Sequence, residues 1–384
     1  MQIGLMTFHA SYNFGSVWQA FSLQYTVESL GYNCEIINYR MKSQKNKYSL
    51  FPVKEGWKSA LRSFLLLKHI KGKRQANRKY ENFINTKLKL SEEINYVEQL
   101  NSFANRYDVY LAGSDQIWGY DIPEFISSNE DSRSPYFLNF TDGYKISYAS
   151  STGIATLNEL MLQQENLKKI SHIAVRETKG KELVQQVVRK EVEVTLDPTY
   201  LIQHEDWLNM AEEYRSIDLP PKYVLIYSLQ GLKKRKKWLQ LIEAIHLNHP
   251  EYIFVTVAPF APIIGKGIVN QASAGPGDIL YIFAHATYVF TDTFHGMSFS
   301  IHMRKNFSLF ENINADFRKM NILEKFNLID RVTTDIHRSV ELFNQVISYT
   351  ERESSIQTEI QHSMSYLKNA INDYYSHCQK VDFL

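Results

Sequence analysis

Short apolar runs alternate with amphipathic stretches along most of the chain, and this rhythm sets the first expectations. Residues 3–7 read as a strand. Ala20, Leu23, Val27 and Leu30 then recur at spacings of three and four, the mark of one helix face, and Gly31 closes that helix. Residues 34–38, Val109–Ala112, 145–150, 170–176 and 192–197 continue the series of strands, with a helix over 158–169 and another before 192. After Asp197-Pro198 the rhythm pauses as far as Pro220-Pro221, and that stretch reads as a linker. It restarts with a strand over 223–228, a helix over 234–247 and a strand over 252–258. A helix opened by Gly275-Pro276-Gly277-Asp278, the strand Tyr288–Thr291, a short helix and the strand Asn306–Phe310 follow. Ile356, Ile360, Leu367, Ile371 and Tyr374 mark a long amphipathic helix at the end. Strands alternating with helices predict α/β architecture with mainly parallel sheets. The expected domains are 1–205 and 220–335, with a helix over 350–384 packing back on the first.

Composition narrows the class without changing that picture. The 384 residues favour two domains over one, and 44% apolar with 13% aromatic residues is ample for two cores. A formal charge of +2 is nearly balanced and names no partner. Cys34 and Cys378 are too few for a disulfide framework or a zinc cluster, so no metal is expected. The start, MQIGLMTF, lacks the basic segment and cleavage site of a signal peptide, and no apolar run reaches the length of a membrane span. A cytoplasmic protein is the expectation.

One segment stands apart in charge. Residues 54–79 carry Lys54, Lys58, Arg62, Lys68, Lys71, Lys73, Arg74, Arg78 and Lys79 against one acid, Glu55, around the apolar Phe64-Leu65-Leu66-Leu67. Such a run is most often a solvated helix face, and it also suits peripheral contact with an anionic membrane. No nucleic-acid-binding signature accompanies it, so nucleic acid is not expected as a partner.

The candidate chemistry lies where strands end. Tyr288–Thr291 breaks at Asp292-Thr293-Phe294-His295-Gly296 before apolar spacing resumes, which puts the break at the carboxyl edge of a parallel sheet, where ligands bind. A helix start offers N–H groups and a positive dipole end to an anion, and His295 adds a group that exchanges protons near neutral pH. The plainer reading is that Asp292 and His295 cap the helix. A second edge loop, Gly113-Ser114-Asp115-Gln116, sets hydroxyl, carboxylate and amide groups side by side, suited to a polyhydroxylated ligand or to a helix cap. The first loop holds His9, Asn13, Gly15 and Ser16, where Asn13 or Ser16 is placed to cap the helix, and it has no GxGxxG fingerprint. The strand over 170–176 delivers Arg176 and Glu177 to its end.

Six patterns then occur in order: FHASYNFGSVWQAFSLQ, GSDQIW, KISYASSTG, VRETKGKEL, LDPTYL and GPGDILYIFAHATYVFTDTFHGMSFS. Together they resemble the polysaccharide pyruvyl transferase family, over roughly residues 1–310. The resemblance implies a GT-B-like fold, two Rossmann-like domains facing across a cleft. It also implies transfer of pyruvate from phosphoenolpyruvate to a sugar as a ketal, with no cofactor beyond that donor. On this reading His295 and Arg176 are catalytic, and Asp292, Thr293, Phe294 and Gly296 lie about the donor. His9, Asn13, Gly15, Ser114, Asp115 and Gln116 face the acceptor, a sugar or a lipid-linked oligosaccharide. Family members with an Arg-x-His motif hold the donor with that arginine, and Thr293 stands in its place here. A GT-B glycosyltransferase using a nucleotide sugar and a non-catalytic sugar-binding relative are the competing readings.

Overall fold

In the computed structural model, which describes residues 1–48, 70–122, 125, 132–259, 262–314 and 316–381, the apolar runs become buried parallel strands. The chain divides into two compact units. The first comprises Met1–Val53, Ile84–Leu201 and Gln357–Leu384, the second Lys54–Phe83 and Ile202–Ile356.

The first unit holds β1 (Gln2–Met6), α1 (Phe14–Ser29), β2 (Asn33–Ile36), β3 (Val109–Ala112) and β4 (Tyr144–Ser147). Its sheet runs β2-β1-β3-β4 with every pairing parallel. β3 and β4 are buried along their whole length; β3 accordingly reads as an apolar run rather than an alternating one, while β4 carries Lys145 and Ser147 among its buried residues. The strands expected over 170–176 and 192–197 shrink to a parallel pair, β5 (Ala174–Val175) and β6 (Glu193–Val194). Single bridges, Ile146 to His172 and Ser150 to Val175, join that pair to β4. Ser147 Oγ takes part in this join: it accepts from Ala174 N–H at 3.1 Å, so side chains share the work of the ladder. The helix expected over 158–169 is two, Leu157–Met161 and Gln164–Lys168.

The last helix, Tyr349–Val381, lies on this unit with its residues from Gln357 onward. Tyr144 Oη donates to Ala370 O at 3.0 Å, Tyr366 Oη to Ser147 O at 2.9 Å, and Leu196 N–H to Ser363 Oγ at 2.9 Å.

One buried cation has no part in any of these contacts. Lys145, on β4, is 2% exposed, and burial lowers its ammonium to a pKa of about 8, with Asp142 opposing the shift and Lys169 adding to it. The folded pKa lies below that of an unfolded lysine, so between about pH 8 and 10.4 the unfolded chain binds more protons and stability rises with pH. Below pH 8 the full cost stands, at most about 3 kcal/mol. Lys145→Met is therefore expected to melt several degrees above the wild type at pH 7, with the gap closing as the pH approaches 10. Equal melting temperatures at pH 7 would show that the ammonium is well solvated.

The second unit holds β7 (Tyr223–Tyr227), α2 (Gly231–Asn248), β8 (Ile253–Val257), β9 (Ile268–Asn270), β10 (Tyr288–Thr291), α3 (Phe294–His302), β11 (Asn306–Phe310) and β12 (Val332–Thr333). Its sheet is wholly parallel in the order β12-β11-β10-β7-β8-β9.

Two expectations about boundaries are corrected. The linker expected between 198 and 221 contains a helix, His204–Glu213, whose Trp207 is buried against Phe299 with ring centroids 5.0 Å apart. Of residues 54–83, expected in the first domain, the described ones, 70–83, belong to the second unit. Among those described, Lys79 Nζ pairs with the buried Asp278 carboxylate at 2.6 Å, Ser216 Oγ bonds the same carboxylate, and Phe83 packs on Tyr214. Most of the basic segment 54–79 lies outside the described residues; within Ile70–Lys87, Lys71, Arg74 and Arg78 are exposed.

Candidate functional site

Each sheet reverses its strand order at one place. In the first, the chain leaves β1 for β2 on one side and later sets β3 on the other. In the second, β8 lies on one side of β7 and β10 on the other. Ligands of open α/β sheets bind outside the carboxyl ends of the strands at such points. The loops singled out from the sequence follow β1, β3 and β10, three of the four strands that flank these two points.

In the first unit the two loops are laced together. Gln19, from α1, donates to Thr7 Oγ1 at 2.8 Å and to Phe8 O at 3.0 Å, and its Oε1 accepts from Ser114 N–H at 3.2 Å. Asn13 caps α1 by accepting from Gly15 N–H at 3.0 Å, so Asn13 and Gly15 have local work at the helix start. Ser16 is not the cap. Its hydroxyl donates to Asp115 Oδ2 at 2.7 Å across 99 residues of sequence. Asp115 Oδ1 accepts from Gln116 N–H at 2.8 Å, and Ser114 Oγ donates to Ala149 O at 2.8 Å. His9 is buried on the β2 side of this group, with Nε2 2.9 Å from Asn38 Oδ1 and Nδ1 3.2 Å from Thr7 O.

Arg176 stands behind Asp115. Its guanidinium is buried, donates from Nη1 to Asp197 Oδ2 at 2.7 Å, and brings Nη2 to 3.7 Å from Asp115 Oδ1. Asp197 in turn accepts from Thr199 N–H at 3.1 Å and Thr199 Oγ1 at 2.8 Å. Glu177 is equally buried, and its Oε1 accepts from Ser151 Oγ, Thr152 N–H and Thr152 Oγ1.

In the second unit the turn after β10 is drawn tight. Thr293, not Asp292 or His295, caps α3, accepting from Gly296 N–H at 2.8 Å. A Cβ on Gly296 would stand 2.0 Å from Thr291 Oγ1 and 2.6 Å from Thr293 Oγ1. The glycine thus makes room for two threonine hydroxyls. Asp292 is buried; it accepts from Ser228 Oγ at 2.7 Å and from Leu229 N–H at 3.3 Å, which ties the ends of β7 and β10 together. Burial raises its carboxyl above the usual range, against the pull of Lys234, whose Nζ is 3.6 Å away. Lys319 donates to Asp292 O at 3.0 Å and pairs with Glu311 and Asp316. Phe294 is buried, and its ring meets the half-buried His295 ring edge-on at 5.1 Å.

Sequence reasoning missed Ser16 as the partner of Asp115, and also Ser228, Lys234, Glu311 and Lys319. Ser228 was visible as the last residue of a predicted strand, whereas the others carry no local signal. Arg176, Asp115 and Ser16 belong to the first unit and His295, Asp292 and Thr293 to the second. The first edge offers a fixed carboxylate and hydroxyls to a polar ligand. The second offers a helix start, whose first N–H groups have no acceptor within the helix, and an imidazole on that first turn. Among the described residues no group of three or more His, Cys, Asp or Glu side chains is arranged to hold a metal, and no helix is long and apolar enough to cross a membrane.

Solved structures share this fold across nearly the whole chain. A putative UDP-N-acetylglucosamine 2-epimerase from Listeria monocytogenes superimposes with a TM-score of 0.58 at 9% identity, covering 98% of this chain and 97% of its own. The UDP-GlcNAc 2-epimerase of Neisseria meningitidis, bound to UDP-GlcNAc, gives 0.56 at 11% identity, covering 97% and 100%. That of Methanocaldococcus jannaschii gives 0.50 at 9% identity, covering 90% and 93%. These likenesses identify the fold as GT-B-like, an α/β architecture with parallel sheets. No curated protein matches the sequence. The model of the polysaccharide pyruvyl transferase family matches residues 13–314, from the cap of α1 through α3 and β11, and the chain belongs to that family.

Proposed function

We propose that this transferase moves pyruvate from phosphoenolpyruvate to a sugar of a glycan or glycan precursor, closing a ketal on two hydroxyls. The observation that carries this reading is the family match over residues 13–314, which takes in His295 on the first turn of α3 at the switch point of the second sheet. The donor is a trianion at its fullest ionisation, so it needs N–H donors and cations, and the start of α3 supplies the first of these. His295 delivers a proton to C3 of the enol, which makes C2 electrophilic. A sugar hydroxyl adds to C2, phosphate departs, and a second hydroxyl closes the ring. Asp292, Thr293, Phe294 and Gly296 shape the turn that presents His295, and the loops with His9, Asn13, Gly15, Ser114, Asp115 and Gln116 meet the acceptor.

A second reading has one observation in its favour. The Neisseria structure holds UDP-GlcNAc on a similar fold, which suits an enzyme using a nucleotide sugar. Calorimetry separates the two. Phosphoenolpyruvate is expected to bind at millimolar concentration or below, and mass spectrometry is expected to find a sugar product heavier by one pyruvate less water. Binding of UDP-GlcNAc with no binding of phosphoenolpyruvate and no pyruvylated product would move the assignment to the nucleotide-sugar reading.

A further inference from the structure

We propose that Asp115 is the base that takes the proton of the attacking acceptor hydroxyl, with Ser16 and Arg176 as its positioning residues. This rests on the pyruvyl-transfer reading above. Three carboxylates are gathered at the carboxyl edge of the first sheet: Asp115, Glu177 and Asp197. The Asp197 side chain is fully covered and spends its oxygens on Arg176 and Thr199. Glu177 is 1% exposed and takes three donors on one oxygen. Asp115 keeps 11% of its side chain open, enough for one oxygen to meet a ligand hydroxyl. It also sits where β1 and β3 part, the place at which a ligand enters this class of sheet.

Its fixings suit a base. Ser16 Oγ holds Oδ2 at 2.7 Å and Gln116 N–H holds Oδ1 at 2.8 Å, so the carboxylate is set in one orientation before any ligand arrives. A carboxylate has about four acceptor positions, and these contacts leave room for a hydroxyl. Arg176, clamped by Asp197, places a positive charge 3.7 Å behind Oδ1. The buried guanidinium thus stands against the acceptor-side carboxylate.

The step balances. The acceptor O–H bond breaks and its proton passes to Asp115 as the oxygen bonds to C2. The C2=C3 electron pair takes a proton at C3 from a general acid. The C2–O bond to phosphate then breaks, and the second hydroxyl closes the ring. Two hydroxyl protons leave the sugar, one replacing the proton placed in the new methyl group and one departing with phosphate. Asp115 ends as it began, its proton passing to the departing phosphate.

Backbone geometry chooses the variants. Asp115 has φ of 71°, a left-handed conformation that Asn and Gly tolerate. Asp115→Asn also keeps the Oδ1 acceptor for Gln116 N–H, and its Nδ2 can donate to Ser16 Oγ, which reverses that bond. With phosphoenolpyruvate as donor and UDP-GlcNAc and p-nitrophenyl hexosides as acceptors, its transfer rate is expected to fall roughly 10²- to 10⁴-fold while calorimetric donor affinity is unchanged. Asp115→Gly leaves a gap, and added formate is expected to restore part of its lost rate, which a purely structural role would not allow. Arg176→Lys is expected to lower kcat with little change in donor KM, since a lysine keeps the charge and loses the fork. Wild-type transfer in the Asn variant, or no response of the Gly variant to formate, overturns the assignment of Asp115. A sharp rise in donor KM for Arg176→Lys returns that arginine to donor binding. A wild-type protein that neither binds phosphoenolpyruvate nor yields product overturns the function reading itself, and this inference with it.

Discussion

His295→Ala is expected to lower kcat for pyruvyl transfer by roughly two to four orders of magnitude, the usual worth of a positioned general acid, with a much smaller change in donor affinity. His295 is the second residue of α3, so its backbone belongs to the helix whichever side chain it carries. The cap is supplied by Thr293 and the close packing by Gly296, and neither depends on the imidazole. The half-buried ring edge-on to Phe294 is lost, and circular dichroism should show an intact fold. Imidazole exchanges a proton near neutral pH, which the neighbouring threonines and phenylalanine cannot do. Anion binding to helix N–H groups would survive, because it uses the backbone. Near-normal turnover with a steep rise in donor KM would instead make His295 a phosphate ligand.

Gly113→Ala is expected to be the most destabilising single methyl addition in the first unit. Gly113 has φ of +133°, where a Cβ is strained whatever surrounds it. A Cβ there would also stand 1.9 Å from Tyr148 O, a backbone atom that cannot swing aside, and 3.3 Å from Ser150 Oγ. Tyr148 N–H donates to Ala112 O at 2.9 Å, so the clash falls on the ladder between β3 and β4. Strain and overpacking together cost on the order of 4 kcal/mol, which in a unit of this size lowers the melting temperature by about 10 °C. The displaced segment carries Ser114 and Asp115, so transfer is expected to fall as well. Gly296→Ala is the control. Its new methyl meets threonine hydroxyls, one of which can rotate, and its cost should be smaller. Gly113→Ala melting at or above Gly296→Ala would sink this account.

The elements that the sequence predicted best are those covered on both faces. β3, β10 and β11 appear with the expected bounds, and for β3 and β10 this follows because a parallel strand buried on both faces leaves a near-continuous apolar run. β5 and β6 fell short because single bridges and the Ser147 hydroxyl replace part of the regular ladder. The helix His204–Glu213 was hidden because only Trp207 and Ala211, four residues apart, mark its buried face. Edge loops were legible as breaks after strands, and three of them flank the two switch points. Their bonding was not legible. Ser16 to Asp115 and Ser228 to Asp292 join residues far apart in sequence, and no local pattern announces such pairs. Thr293 shows the same limit from the other side: read as part of a donor pocket, it is first of all the cap of α3.

The division of the chain also sets an order of events during synthesis. The first unit begins at Met1, yet it is completed by residues from Gln357 onward, after the whole of Ile202–Ile356 has been made. Until then Tyr144, Ser147 and Leu196 lack the partners that the last helix brings, Ala370, Tyr366 and Ser363. Domains emerging from the ribosome tend to fold as units in the order they appear. Here both segments of the second unit are made before Gln357, so it can close first, while the first unit waits for its final segment. Closing contacts over such a sequence distance is slow, so the nascent first unit is the part of this protein most in need of protection from aggregation.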